Sequence, residues 1–84
     1  GMKHVLSLLV ENHHGVLSRI ARLFDGRGYR LESLTTAPAG EPGLNRITLV
    51  ASGPAASIDK AAKQLEKLVD VIEVKVALEA AAVE

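Results

Sequence analysis

Residues 10–20 read Val10-Glu11-Asn12-His13-His14-Gly15-Val16-Leu17-Ser18-Arg19-Ile20. An apolar run ends at Val10, a polar segment containing Gly15 follows, and a helical spacing of apolar side chains then begins. This order is typical of a strand that leads through a short loop into a helix. Because the first N–H groups of a helix have no acceptor within it, the segment predicts a site for a small anion or carboxylate. Gly15 has no Cβ, so a ligand can approach the main chain there.

The rest of the chain continues this alternation of strands and helices. Its patterns predict strands at residues 3–10, 29–37, 44–52 and 69–76, and helices at residues 15–27 and after Gly53, with Pro54 at the first helical position. The order β-α-β-β-α-β predicts an α+β, ferredoxin-like fold, a four-stranded antiparallel sheet with two helices on one face. Strand 29–37 is the most polar and is expected at an edge, and Gly28 is expected to end the first helix.

The apolar positions divide into a core set and a second face. The core is predicted to comprise Leu6, Leu8, Val10, Val16, Leu17, Ile20, Ala21, Leu23, Phe24, Ile47, Leu49, Ala51, Ile58, Ala61, Ala62, Leu65, Leu68, Ile72, Val74 and Val76. The opposite face of the sheet is expected to carry Val5, Leu9 and Val50, with Leu34 or its neighbours. A half-apolar open face beside a polar edge strand predicts association with another chain.

The composition of the chain argues against several classes of protein. The 84 residues form one domain, and 48% are hydrophobic with only Phe24 and Tyr29 aromatic, so the core is aliphatic. Ten basic and ten acidic residues balance, which argues against a nucleic-acid or anionic-membrane partner. The chain has no cysteine, its apolar runs are shorter than the ~20 residues of a membrane span, and we expect a cytoplasmic location. Gly1 before Met2 is typical of a tag remnant.

Several segments in the same order resemble one family. They are residues 10–12 and 15–20, which resemble the ACT-domain signature, and Leu23-Phe24-Asp25-Gly26-Arg27-Gly28-Tyr29, Glu32-Ser33-Leu34-Thr35, Asn45-Arg46-Ile47-Thr48 and Lys63-Gln64-Leu65-Glu66-Lys67-Leu68-Val69-Asp70-Val71. Together they resemble the small, regulatory subunit of acetolactate (acetohydroxyacid) synthase. The resemblance covers about residues 3–76. It implies an ACT domain at residues 3–78, followed by a frayed tail at residues 79–84.

The resemblance implies a non-catalytic role. ACT domains commonly pair through their second strands, and amino-acid effectors bind at that interface. In this subunit the effector is typically valine, which feeds back on a catalytic large subunit in branched-chain amino acid biosynthesis. That partner carries thiamine diphosphate, Mg²⁺ and FAD. The chain itself is expected to have no catalytic residue, metal or cofactor, and to form a homodimer or higher oligomer.

The resemblance and the local chemistry also predict the site residues. Amino-acid contacts are expected at Asn12, His13, His14, Gly15, Val16 and Leu17, with Arg30, Leu31 and Glu32 contributed by the neighbouring chain to the ligand or the dimer interface. The carboxylate suits the Gly15 and Val16 amides, and the ammonium suits the Asn12 side-chain oxygen. Arg30 departs from the family, which commonly has Asn there. Its guanidinium repels an ammonium group but can hold a carboxylate.

Other interpretations of these residues stay open. Asn12 can simply cap the helix, Gly15 can serve only the turn, and His13 and His14 can be solvent-facing, since no cysteine or acidic cluster completes a metal site. An alternative function is an ACT interaction module that holds or activates a partner enzyme without sensing an amino acid. An acylphosphatase-like hydrolase on this fold needs an arginine in the first loop, and residues 11–14 contain none.

Overall fold

Four strands and two helices alternate along residues 3–24 and 28–78, the part of the chain that this computed structural model describes. In chain order they are β1 (Lys3–Glu11), α1 (Val16–Arg22), β2 (Arg30–Pro38), β3 (Leu44–Ser52), α2 (Ala55–Glu66) and β4 (Val71–Leu78). The strands form an antiparallel sheet in the order β2-β3-β1-β4. The predicted βαββαβ, ferredoxin-like fold is confirmed, and so is the edge position of β2.

The hydrophobic core lies between the two helices and one face of the sheet. Along β1 every second residue is buried, and Leu6 and Leu8 are opposite Leu49 and Ile47 of β3. Directly opposed residues in an antiparallel pair share a face, so the alternation continues across the sheet. The buried apolar residues are Leu6, Leu8, Val10, Val16, Ile20, Phe24, Ile47, Leu49, Ala51, Ile58, Ala61, Ala62 and Leu65.

Helix α1 is shorter than predicted and packs along a narrower line. It ends at Arg22, where the N–H groups of Leu23 and Phe24 bond to carbonyls three residues back, a tighter turn that stops the α-helix. Its buried side chains fall every four residues, which leaves Leu17 40% exposed, so Leu17 is not a core residue. Gly28, with φ of 82°, lies beyond this end. Residues 25–27, where the sequence predicts more helix, and the predicted tail at residues 79–84 are outside the described residues.

Strand β4 differs from its prediction in start and in register. It begins at Val71, because Val69 lies in the turn after α2 and is 91% exposed. Leu9 is opposite Glu73 whereas Val10 is opposite Val71, so a bulge displaces Ile72. Ile72 is therefore 52% exposed, and Val71 packs against the core in its place.

Apart from β4, the residues on the two faces of the sheet are close to those predicted. Val5 of β1 is opposite Val50 of β3, and both are half-buried on the face away from the helices. Leu34 is opposite Leu49 and therefore faces the helices, whereas its neighbours Ser33 and Thr35 face the open side. Helix α2 starts at Ala55, and Pro54 is its N-cap rather than its first residue.

Candidate functional site

The loop between β1 and α1 is held on both sides by backbone hydrogen bonds. The Glu11 N–H donates to the carbonyl oxygen of Asp70 and the Asn12 N–H to that of Gly43, each at 2.8 Å. The first bond ties the loop to the start of β4, and the second ties it to the turn before β3. The loop is thus fixed to the sheet, while the side chains of residues 12–14 stay exposed.

The start of α1 leaves several backbone donors without acceptors. Gly15 is the N-cap, with a φ of 84° that favours glycine, and no side chain caps the helix. The Val16 N–H donates to the His13 carbonyl at 3.3 Å. Within the described residues, the other N–H groups of this segment have no protein acceptor: those of His14, Gly15, Leu17 and Ser18. The Val16 amide is therefore less available to a carboxylate than the sequence analysis expects.

A buried carboxylate lies directly behind the loop. The side chain of Asp70 is 3% exposed, and it accepts a hydrogen bond from His13 Nδ1 at 2.5 Å and another from the Arg19 guanidinium. These hydrogen bonds, that of His13 first and that of Arg19 second, hold the pKa of Asp70 below its ordinary value although burial acts to raise it. The ionised Asp70 therefore joins three elements: the loop, α1 and the start of β4.

His13 and Arg19 have further contacts that define the loop. His13 Nε2 lies 3.4 Å from the Glu11 carboxylate, so its ring is placed between two acids. A Cβ on Gly15 would lie 3.3 Å from Arg19 Nη1, which shows that the arginine side chain runs close beneath the glycine. Arg19 thus lies near the open amides, with its charge already paired to Asp70.

The predicted site residues occupy different positions around this loop. Asn12 and His14 are exposed, and their side chains have no hydrogen-bond partner among the described residues, so Asn12 does not cap the helix. Val16 is 4% exposed and belongs to the core, which leaves it little surface for a ligand. Leu17, in contrast, presents an apolar side chain to solvent beside the open amides.

A shallow groove runs between α1 and the edge strand β2. Its volume is about 450 Å³, and it is lined by Ser18, Ala21, Arg22, Phe24 and Leu31. It lies on the face of α1 opposite to the buried residues Val16 and Ile20. The structure therefore brings Leu31 to the helix whose first amides are open.

The other two residues predicted for the neighbouring chain lie on the same strand. Arg30 is exposed at the start of β2 and has no ion pair within the described residues. Glu32 is exposed and accepts a hydrogen bond from the Ser52 hydroxyl at 2.8 Å. Both are accessible at the free edge of the sheet.

Sequence reasoning missed Asp70 and Arg19 as parts of this site. Arg19 is not among the predicted core or site residues, and Asp70 is predicted only as part of the strand at residues 69–76. One signal was available: Asp70 is the single acid between the apolar residues Leu68, Val69, Val71 and Ile72. An acid in such a setting is buried only when it is paired.

The described residues also bear on two other kinds of site. Within residues 3–24 and 28–78, no group of three or more His, Cys, Asp or Glu side chains is placed to hold a metal ion. In the same residues, no helix has the length and apolar character needed to cross a membrane.

Comparison with solved structures identifies the class of protein. The small subunit of acetolactate synthase from Thermotoga maritima superposes with a TM-score of 0.78 at 36% identity, over 88% of this chain and 46% of that one. The ACT domain of a GTP pyrophosphokinase from Chlorobium tepidum superposes with a TM-score of 0.76 at 12% identity, over 90% of this chain and 97% of that one. The second likeness is one of fold. The chain is an ACT domain.

Sequence comparison identifies the family. Residues 6–73 match the family model described as AHAS small subunit-like ACT domain, where AHAS denotes acetohydroxyacid synthase. The acetolactate synthase small subunit of Haemophilus influenzae and the isozyme 3 small subunit of Escherichia coli K12 are each 48% identical over 73 residues, or 87% of this chain and 45% of theirs. The chain belongs to the acetolactate synthase small subunit family, and it spans about half the length of these relatives.

Proposed function

We propose that this chain is the effector-binding domain of a regulatory subunit of acetolactate synthase, and that its effector is valine or a related branched-chain amino acid. The observation that carries the proposal is the set of open amides at the start of α1, beside a groove that reaches β2. Family membership supports the regulatory role, since the relatives are named as small subunits of this synthase. The domain extends over residues 3–78.

The chemistry of a free amino acid matches the groups around the loop. Its carboxylate accepts hydrogen bonds from open amides such as those of Leu17 and Ser18. Its ammonium group needs acceptors, which the side-chain oxygen of Asn12 and the loop carbonyls supply. Its branched side chain needs an apolar wall, and the exposed part of Leu17 provides one.

A second copy of the chain completes the site in this proposal. The groove beside α1 is shallow, whereas small-molecule sites usually enclose most of the ligand. Pairing of two β2 edges brings residues 30–32 of one copy toward the loop of the other. Leu31 then adds apolar surface, and Arg30 is available to the effector's carboxylate rather than to its ammonium group.

The proposed output is a change in the activity of a catalytic large subunit. That subunit carries thiamine diphosphate, Mg²⁺ and FAD, and this chain contributes the sensor. Because effector and partner bind at different places, the coupling is reciprocal: valine changes the affinity for the catalytic subunit as much as the subunit changes the affinity for valine.

Thermal unfolding with and without amino acids tests the sensing role. At a hundredfold excess over its Kd, a ligand adds about 2.7 kcal/mol to the free energy of unfolding. For a domain of this size we expect Tm to rise on the order of 10 °C or more. D-valine and L-alanine are the matched controls and should raise Tm much less. No rise with L-valine, L-leucine or L-isoleucine at millimolar concentration would contradict effector sensing.

Two observations favour the second candidate, an interaction module without a sensor. Arg30 stands where the family commonly has Asn, and the amide of Val16 is already bonded within the loop. In that case the chain holds or activates a catalytic subunit without an effector. Recovery of a thiamine-dependent synthase whose activity does not respond to amino acids would select this candidate, and a valine-dependent loss of activity would select the first.

A further inference from the structure

The outer edge of β4 is the apolar edge of the sheet. In the order β2-β3-β1-β4, both β2 and β4 pair on one side only within the described residues. On β4, Ile72 is 52% exposed and Val76 is 43% exposed, with Val74 half-buried between them. An exposed strand edge with large apolar side chains is a surface that favours pairing with another strand.

The sequence of this edge is complementary to itself when it is reversed. The central residues are Ile72-Glu73-Val74-Lys75-Val76, with one acid and one base placed symmetrically about Val74. Glu73 and Lys75 are opposite Leu9 and Ser7, so both lie on the open face of the sheet. Val74 and Val76 are opposite Leu8 and Leu6, so they lie on the helix side. The strand thus separates its charges from its apolar residues.

We propose that β4 pairs with β4 of a second copy, antiparallel, about a two-fold axis at Val74. In this register Glu73 faces Lys75 of the other copy, and Lys75 faces its Glu73. The two Val74 residues meet at the axis, and Val76 of each copy lies across from the bulged segment at Ile72 of the other. A two-fold interface requires such matching of a surface with itself. The contact has two ion pairs on the open face and the Val74 pair on the helix side.

Two features of the single chain agree with this pairing. Glu73 and Lys75 already form an ion pair on one strand at 3.2 Å, and the lysine side chain is 71% exposed, so both are free to take additional partners. The edge of β2 also has a base and an acid about an apolar residue, Arg30-Leu31-Glu32, but a bulge between Leu31 and Ser33 interrupts the strand at Glu32. Glu32 is also already bonded to Ser52.

The β4 contact is separate from the effector interface proposed at β2. If both edges pair, association is open-ended, and the mass increases with concentration in steps of the β2-paired dimer. If only β4 pairs, the chain forms a simple dimer. In either case the contact depends on the positions of Glu73 and Lys75 along β4 and does not depend on valine.

Charge reversal of β4 tests the pairing by sedimentation equilibrium. Lys75→Glu places two glutamates opposite each other at both ends of the contact, and we expect association to weaken by about tenfold or more. Glu73→Lys should act in the same way. The double variant E73K/K75E restores both pairs and also keeps the ion pair within one strand, so it should associate like the original chain. The proposal is overturned if the original chain is monomeric, or if Lys75→Glu leaves its association unchanged.

A disulfide at the axis provides an independent test. The chain has no cysteine, so Val74→Cys introduces a single thiol. Opposed residues of antiparallel strands have Cα atoms about 4.5–5.5 Å apart, within the range that a disulfide spans. Val74→Cys should therefore form a covalent dimer under mild oxidation. Lys75→Cys is the matched control, because its two copies lie more than about 7 Å apart in this register. Equal rates of dimer formation for the two variants would overturn the proposal.

Discussion

The two halves of the molecule enter their helices in different ways. The β1–α1 connection has four residues, 12–15, whereas the β3–α2 connection has only residues 53–54. In the first, the loop side chains are exposed and several helix N–H groups have no acceptor. In the second, Pro54 has its φ already fixed for the turn, and its carbonyl accepts from both Ser57 and Ile58. Within the described residues, the first connection leaves four backbone N–H groups without an acceptor, and at the second those of Ala55 and Ala56 also have none.

The helices that follow these connections also differ, in length and in the number of buried residues. Helix α1 has seven residues and buries Val16 and Ile20. Helix α2 has twelve residues and buries four, Ile58, Ala61, Ala62 and Leu65. Since most helix stability in proteins comes from packing of an apolar face, α2 anchors the domain more strongly than α1. The second half of the molecule therefore contributes more to the stability of the fold, and the first half presents a binding surface.

The largest expected effect comes from truncating the core of the second half. Leu65 is fully buried, and Leu65→Ala should lower the free energy of unfolding by about 2–5 kcal/mol. Leu17 is the matched residue on α1. Because it is 40% exposed, Leu17→Ala should change stability by no more than about 0.5 kcal/mol while it weakens valine binding. Urea unfolding and calorimetric titration measure the two effects. Equal losses of stability would remove the distinction between the helices.

The glycines of the two connections give the next largest effect. A Cβ on Gly53 would lie 2.8 Å from the Cβ of Tyr29, and Gly53 has a φ of 152°, so Gly53→Ala should cost about 1–3 kcal/mol of stability. A Cβ on Gly15 meets only the flexible end of Arg19, and Gly15→Ala should cost about 1–2 kcal/mol for its left-handed backbone. Only Gly15→Ala should also weaken valine binding. A Gly53→Ala protein with lower affinity for valine would contradict this division.

The last effect is the contribution of Asp70 to the pH dependence of stability. Hydrogen bonds from His13 and Arg19 lower the pKa of Asp70, so its ionised form stabilises the fold above its ordinary pKa of 3.8. That stability is lost as the pH falls through the lowered pKa. In the Asp70→Asn variant, the urea midpoint of unfolding should therefore change less with pH between about pH 4 and pH 2. Asp59→Asn, on the exposed side of α2, is the control and should keep the original slope.

The residues that the sequence placed correctly are those governed by local pattern. The alternation of Leu6, Leu8 and Val10 marks the core face of β1, and residues 44–52 match β3 at both ends. Glycine and proline residues indicate the loops that connect the strands and helices. These signals are local because strand and helix periods repeat over a few residues.

The residues that the sequence misplaced depend on partners far along the chain. Asp70 contacts His13 across 57 positions, and the bulge at Ile72 depends on the register between β4 and β1. His4 is 6% exposed on the core side of β1, where the alternation of that strand places it, but no local pattern indicates that its Nε2 has no partner within the described residues. Tertiary packing determines such positions, so the periodicity of a single segment does not contain them.

The central claim is that the first connection, and not the second, binds the carboxylate of an amino acid. Titration of the ¹⁵N-labelled chain with L-valine, followed by amide chemical shifts, tests it residue by residue. We predict large, saturable shifts at His14, Gly15, Leu17 and Ser18, and none beyond background at Ala55 and Ala56, the first residues of α2. Unchanged shifts at the start of α1 when valine is in excess, or equal shifts at the two helices, would contradict the account.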